Sequence, residues 1–273
     1  MRIRKSTNHL ALFIAIVVVF VITIGVIALI SHQFSSEKSK KKAPEVAQEA
    51  PVQKAVEPAT NKLELPGAIP IEKMTGDYTA DDHIWRLVNK SHPLTNSNYR
   101  PAELTLFAEH SRTDKSNDER SIRSDIAPYA EQLFADAKKE GFDLIIGSGF
   151  RSRDLQNLYY TNYSNTYGQE AADTFSTKPG YSEHQTGLVM DLSTRDMKCY
   201  LEECFGDTPA GKWLATHAHV YGFILRYPKD KNGITDFIYE PWHFRFVGKN
   251  LATALYESGL TLDEAWPYMT KES

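Results

Sequence analysis

The segment from Leu10 to Ile30, LALFIAIVVVFVITIGVIALI, runs for 21 residues without a charged side chain. An α-helix needs about 20 apolar residues to cross the hydrocarbon core of a membrane. The run therefore predicts one transmembrane helix in an N-terminal anchor, residues 1–34. A cleaved signal peptide is the alternative, but its apolar region is usually about 7 to 15 residues long and ends in a small-residue cleavage site, which this segment lacks.

The composition of the chain changes twice after this run. Residues 35–62 are rich in Lys, Glu, Ala and Pro and almost lack aromatic side chains, which is typical of a flexible, disordered linker. Residues 63–273 mix apolar and charged side chains as folded proteins do, and no internal repeat divides them. We therefore expect an anchor, a linker and one folded domain.

The predicted folded domain is acidic. Residues 63–273 contain 31 Asp and Glu side chains against 22 Lys and Arg side chains. Recognition of phosphate groups requires clustered basic side chains. The composition therefore argues against nucleic acid as a partner.

The two cysteines, Cys199 and Cys204, are separated by four residues, a spacing that a hairpin can bridge. A disulfide between them implies an oxidising compartment, and two reduced buried thiols are the alternative. Basic residues both precede and follow the apolar run, so the positive-inside rule does not orient it. The cysteine pair therefore favours a single-pass protein of the cell membrane whose folded domain is extracellular.

Hydrophobic patterns in the folded domain alternate between helix and strand. Thr208-Pro209 is a helix cap followed by a first-turn proline, and Gly222 closes that helix. Helices are expected at 124–140, 152–167 and 208–219, and one or two helices at 249–268. Strands are expected in FDLIIGSGF, GLVMDLS, FILRY, DFIYE and HFRFV, with a tight turn at Asn232-Gly233. This order favours an α+β fold with a mainly antiparallel sheet flanked by helices.

Two separate segments contain residues suited to a metal centre. GYSEHQTGLVMDLS carries His184 and Asp191, and YEPWHFRFVG carries Glu240 and His243. A catalytic zinc ion usually has three protein ligands and an open position for water, so we expect His184, Asp191 and His243 to bind zinc and Glu240 to act as the base. Glu240 and His243 can face one site only if the strand breaks at Pro241.

The same segments resemble a known family. SEHQTGLVMD resembles the S-x-H-x-x-G-x-A-x-D signature of the LAS metallopeptidases, with Val189 in place of the alanine, and EPWHFRFVG is similar to their E-x-W-H element. GSGFRSRDLQ and YGFILRYP complete the resemblance, which covers about residues 145–248 in the order found in VanY-like D-Ala-D-Ala carboxypeptidases.

The resemblance implies a role for several further residues. It places His184, Asp191 and His243 at the zinc-ligand positions and Glu240 at the base position, while Arg151 matches the arginine that stabilises the oxyanion of the tetrahedral intermediate. It also implies substrate-binding positions at Ser148, Gln156, Tyr181 and Ser182. Arg226 is our own candidate for binding the terminal carboxylate of the substrate, because a guanidinium can hold a carboxylate through two hydrogen bonds.

The resemblance implies a zinc-dependent carboxypeptidase that removes the C-terminal D-alanine from peptidoglycan stem peptides. One alternative is an L,D-carboxypeptidase that acts on tetrapeptide stems. Another is a membrane-tethered module that binds the cell wall without catalysis, although such a module would have no chemical use for Glu240. The expected partners are the stem peptide and, through the N-terminal helix, the cell membrane.

Overall fold

The computed structural model describes residues 61–271, which are built around a four-stranded antiparallel sheet. Its strands are β5 (Leu144–Ser148), β6 (Val189–Thr194), β7 (Phe223–Leu225) and β8 (His243–Phe246), in the order β5-β6-β8-β7 across the sheet. Two further antiparallel pairs are β1 (Lys62–Leu63) with β2 (Ile71–Glu72) and β3 (Leu104–Leu106) with β4 (Ser121–Arg123).

Helices and three short 3-10 segments complete the described fold. The helices are α1 (Ala127–Lys139), α2 (Arg153–Tyr167), α3 (Gln169–Ala172), α4 (Pro209–His217), α5 (Asn232–Thr235), α6 (Lys249–Ser258) and α7 (Leu262–Thr270). The 3-10 segments are Glu183–Thr186, Glu203–Asp207 and Ala218–Tyr221. The predicted α+β fold with an antiparallel sheet and helices is confirmed.

The main core lies between helix α1 and the sheet. Buried side chains of α1 recur every three or four residues and therefore share one side of the helix. They are Ala130, Leu133, Phe134 and Ala137, and they pack in one cluster with side chains of the sheet such as Ile146, Met190, Leu192 and Phe244. This core holds β5, β6 and β8 together, and β6 and β8 carry two of the three predicted zinc ligands, Asp191 and His243.

A second core joins the two ends of the described chain. Leu63, Trp85 and Leu87 pack with apolar side chains of α6 and α7. The indole nitrogen of Trp85 donates a hydrogen bond to the carbonyl of Val247, directly after β8, at 2.9 Å. The end of β8 is thereby fixed from outside the main sheet.

The segment between β7 and β8 differs from the expectation. Asn232-Gly233 begins the helix α5, so the predicted tight turn is wrong, and residues 236–240 form no strand. The backbone N–H of Ile238 donates to the carbonyl of Thr174, and the ring of Phe237 stacks on Tyr227 with centroids 4.3 Å apart. Because these contacts take the place of a strand partner, the DFIYE segment packs beside the sheet as an irregular segment.

Two other predictions have different outcomes. Cys199 and Cys204 form a disulfide, as expected. The predicted transmembrane helix and the predicted linker lie outside the described residues, apart from the last two linker positions. Within residues 61–271, no helix combines the length and apolar character that a membrane crossing requires.

Candidate metal centre and active site

The three predicted zinc ligands meet at one end of the sheet. Asp191 of β6 and His243 of β8 are directly paired across the two strands. His184 lies in the 3-10 segment before β6, and the chain reverses at Gly187, whose φ is 70°. A Cβ atom there would lie 3.0 Å from both Arg123 and Pro101, so both the conformation and the space favour glycine.

The distances around Asp191 identify the nitrogen that each histidine presents. His184 Nε2 lies 3.2 Å from Asp191 Oδ2, while its Nδ1 is 2.7 Å from the carbonyl oxygen of Gly149. His243 Nδ1 lies 3.2 Å from Asp191 Oδ1. The carbonyl accepts a hydrogen bond only if Nδ1 of His184 carries the proton, which leaves Nε2 free as a ligand.

This donor set fits a zinc ion. The three ligand atoms lie within 4.8 Å of one another, and all three side chains are buried. Asp191 Oδ1 is buried without a hydrogen-bond partner among the described residues, which is costly unless a cation or donor satisfies it. Two imidazole nitrogens and one carboxylate oxygen are ligands of catalytic zinc sites and leave a fourth position open.

Glu240 lies beside the predicted ligands, as expected. Its Oε2 is 3.6 Å from His243 Nδ1, and the predicted break is present as a turn at Pro241-Trp242, closed by the bond from His243 N–H to the Glu240 carbonyl at 3.1 Å. Burial, which disfavours the charged carboxylate, raises the pKa of Glu240 to about 8. A bound zinc ion would oppose this shift because its positive charge favours the carboxylate.

Arg151 follows β5 and points into the same site. Its Nη2 donates to Asp191 Oδ2 at 2.7 Å and its Nε donates to Ser148 Oγ at 2.8 Å. Its guanidinium also lies over the ring of Tyr159, 5.4 Å from the centroid. The structure therefore brings Arg151 to the predicted ligands. Ser148 lies behind Arg151 and helps to orient its guanidinium.

An open cleft of about 360 Å³ gives access to these groups. Gln156 and Ser182, two of the predicted substrate-binding residues, line it. Gln156 Nε2 donates to the carbonyl of Thr177 at 2.8 Å, and no described residue donates to the buried Oε1. The other walls are largely apolar and aromatic, formed by Tyr163, Tyr167, Phe175, Leu201, Tyr227, Phe237, Ile238 and Trp242.

The structure contradicts the expected role of Arg226. Its side chain is fully buried, donates from Nε to Glu183 at 2.9 Å, and pairs with Asp263 of α7 through its other nitrogens. Because two carboxylates already bind this guanidinium and it does not line the cleft, Arg226 is not available to a substrate carboxylate.

Tyr181 also lies outside the cleft. It lines a neighbouring depression together with Lys90 and Lys178, and this depression shares Ser176 and Thr177 with the cleft. His217 and His219 form an H-x-H pattern at the end of α4 and in the 3-10 segment that follows it, and they stack on Trp213 and Tyr256 respectively. Neither histidine belongs to the metal centre.

Glu183 and the aromatic walls of the cleft were not predicted from the sequence. Glu183 is buried, and Arg226 and Arg245 hold it as an anion, which keeps its pKa below the usual range even though burial opposes the charge. One signal was available, because Arg226 and Arg245 are single charges inside the apolar strand segments FILRY and HFRFV. A charge in such a strand requires a buried partner.

The zinc-ligand geometry beside a glutamate, at the end of an antiparallel sheet, defines a metallopeptidase of the LAS type. The family model described as VanY, D-alanyl-D-alanine carboxypeptidase, matches residues 119–249. A putative carboxypeptidase of Bacillus subtilis, YodJ, is 40% identical over 203 residues, which is 74% of each chain. The chain belongs to the VanY family and is a carboxypeptidase.

Solved structures of similar proteins agree with this assignment. The LD-carboxypeptidase LdcB is 41% identical, with a TM-score of 0.63 over 68% of this chain and 86% of that chain. The vancomycin-resistance D,D-pentapeptidase VanY, solved in complex with Zn(II), is 31% identical, with a TM-score of 0.56 over 67% of this chain and 98% of that chain. Together with the His-Asp-His donor set of this chain, these matches confirm the predicted zinc cofactor.

Proposed function

We propose that this protein is a zinc-dependent D-alanyl-D-alanine carboxypeptidase that removes the C-terminal D-alanine from peptidoglycan stem peptides. The observation that carries the proposal is the convergence of His184, Asp191 and His243 with Glu240 and Arg151 on the floor of one open cleft. The match to the D-alanyl-D-alanine carboxypeptidase model supports the choice of substrate.

Each residue has a defined task in this hydrolysis. His184, Asp191 and His243 hold zinc, which when bound polarises a carbonyl group and acidifies water. Glu240 accepts a proton from the attacking water and transfers it to the leaving amine as the C–N bond breaks. Arg151 donates to the oxygen on which negative charge develops. The free Oε1 of Gln156 is suited to accept a hydrogen bond from a substrate N–H group.

An L,D-carboxypeptidase that removes D-alanine from tetrapeptide stems is the second candidate. Its support is the similarity to the LD-carboxypeptidase LdcB, at 41% identity and a TM-score of 0.63. Both reactions release D-alanine and use the same ligands, base and arginine. The two candidates therefore differ in the residue that the cleft accepts before the cleaved bond.

The deciding experiment measures D-alanine release by the full chain, purified in detergent, from muramyl pentapeptide and muramyl tetrapeptide. We expect release from the pentapeptide, loss of release on treatment with a chelator, and recovery when zinc is added. Preferential release from the tetrapeptide would replace the first candidate by the second. A protein that binds zinc and releases D-alanine from neither peptide would be the non-catalytic wall-binding module.

We also propose that residues 1–34 anchor the protein in the cell membrane and that residues 35–62 tether an extracellular catalytic domain, 63–273. The uncharged run of residues 10–30 and the Cys199–Cys204 disulfide support this arrangement. A membrane-impermeant protease added to intact cells should remove the domain. Survival of the domain until the cells are lysed would place it in the cytoplasm and contradict the proposal.

A further inference from the structure

A buried chain of charges lies behind the metal centre. Glu183 Oε1 accepts hydrogen bonds from Arg226 Nε at 2.9 Å and from Arg245 Nη1 at 2.8 Å. Arg226 continues the chain to Asp263 of α7, and Arg245 Nη2 donates to the carbonyl of Arg86 at 2.7 Å. Glu183 and both arginines are almost completely shielded from solvent.

The other oxygen of Glu183 faces a predicted zinc ligand. Glu183 Oε2 lies 3.5 Å from His243 Nε2, and both atoms are buried without a hydrogen-bond partner in the part of the chain that the structure describes. The opposite nitrogen of His243, Nδ1, faces Asp191 and Glu240. A proton on Nε2 would be drawn towards the Glu183 carboxylate, and this tautomer leaves the lone pair of Nδ1 for the metal.

The two arginines explain why Glu183 is suited to this contact. Because its Oε1 is held from two directions, the carboxylate cannot rotate away from His243. Buried ion pairs add little to stability compared with apolar packing, since the charges lose their hydration. The cost of burying this chain is therefore better explained by what Glu183 does to His243 than by a gain in stability.

We propose that Glu183 is a positioning residue of the metal centre, which orients His243 and keeps its proton on Nε2 so that Nδ1 faces the zinc. Carboxylates that accept the second N–H of a zinc-bound histidine fix the ring and its tautomer, and their loss typically lowers metal affinity about 10- to 100-fold. The inference rests on the zinc site of the proposed function, but it does not depend on the identity of the substrate.

The test compares Glu183→Gln with Asp263→Asn in the full chain. Zinc affinity is measured by competition with a chromophoric chelator, without any substrate. We expect Glu183→Gln to bind zinc about 10- to 100-fold more weakly. Asp263→Asn is the matched control, because it also removes one negative charge from Arg226 but does not contact His243, so its zinc affinity should equal that of the unmodified chain.

Two results would overturn the inference: unchanged zinc affinity in Glu183→Gln, or an equal loss in Asp263→Asn. If Glu183→Gln does not fold, nitrogen-15 NMR of the zinc-loaded, unmodified protein decides the matter, because Nε2 of His243 must carry the proton. A proton on Nδ1 would contradict the proposal. Zinc binding without D-alanine release would contradict the proposed function and leave this inference standing.

Discussion

The floor of the cleft, which contains the predicted zinc ligands, and the aromatic outer wall around it are built on different elements of the fold. His184, Asp191 and His243 are at most 4% exposed and come from, or directly precede, strands whose register is set by backbone hydrogen bonds. Tyr167 of the outer wall is 62% exposed and lies at the last turn of α2. The predicted zinc ligands are therefore held by the sheet, while this part of the wall lies on a surface helix.

The wall residue Leu201 lies neither in the sheet nor in α2. It belongs to a loop closed by the Cys199–Cys204 disulfide, and both Cys199 and Leu201 have positive φ angles, a conformation that costs non-glycine residues energy. Tyr200 packs on Gly147 of β5 so closely that a Cβ atom there would lie 2.8 Å from its ring. The disulfide closes this loop, and the ring of Tyr200 packs the loop against β5.

Among changes to the floor and the wall, the largest loss of activity is expected for Glu240→Ala, which lies on the floor. Loss of a positioned general base typically costs about 10²- to 10⁴-fold in rate, so kcat for D-alanine release should fall by that factor. Zinc content, measured by atomic absorption, should remain because Glu240 is not a predicted ligand. His184→Ala is the comparison variant, and it should lose both zinc and activity. If Glu240→Ala also lost zinc, Glu240 would be a ligand and not the base.

A somewhat smaller effect is expected for Arg151→Lys. Lysine keeps the positive charge but cannot reach Ser148, Asp191 and the developing oxyanion with a fixed planar group. Removal of one oxyanion donor costs about 10²- to 10³-fold in kcat in other hydrolases, and we expect a loss of that order with zinc retained.

Ser148→Ala is the graded control for this arginine, because it removes one hydrogen bond from Arg151 and leaves the guanidinium in place. Its kcat should therefore fall less than that of Arg151→Lys. Full activity in Arg151→Lys would show that Arg151 does not stabilise the transition state.

The smallest effect on turnover is expected for the double variant Cys199→Ser, Cys204→Ser. Loss of a disulfide that closes so short a loop costs about 2 kcal/mol of unfolding free energy in the chain-entropy description, which urea denaturation can measure. Because the loop carries Leu201 in the wall, KM for the stem peptide should rise while kcat and zinc content stay near their original values.

Glu203→Ser, an exposed change in the same loop, serves as the control for the disulfide variant and should alter neither constant. A KM that is unchanged in the double variant would remove Leu201 from the substrate site. A fall in kcat comparable to that of Arg151→Lys would mean that floor and wall are not independent.

Local patterns predicted most of the elements that position the site. Regular apolar spacing on α1, the Thr208-Pro209 start of α4 and the apolar runs of β5, β6 and β8 all formed as expected. DFIYE failed because its pattern satisfied strand preferences but found no strand partner. Its backbone bonds to Thr174 and its Phe237 ring stacks on Tyr227 instead. These partners lie outside the segment, so the local pattern could not predict them.

The sequence by itself determined the chemistry of the centre: two histidines, an aspartate and a glutamate, at spacings that required a break at Pro241. Only the tertiary structure decided which nitrogen each histidine presents and where Arg226 belongs. Arg226 has the charge expected of a carboxylate-binding residue, but Glu183 and Asp263 occupy its donors. Ligand type is a property of the residue, whereas partner choice depends on packing between segments 37 to 62 residues apart.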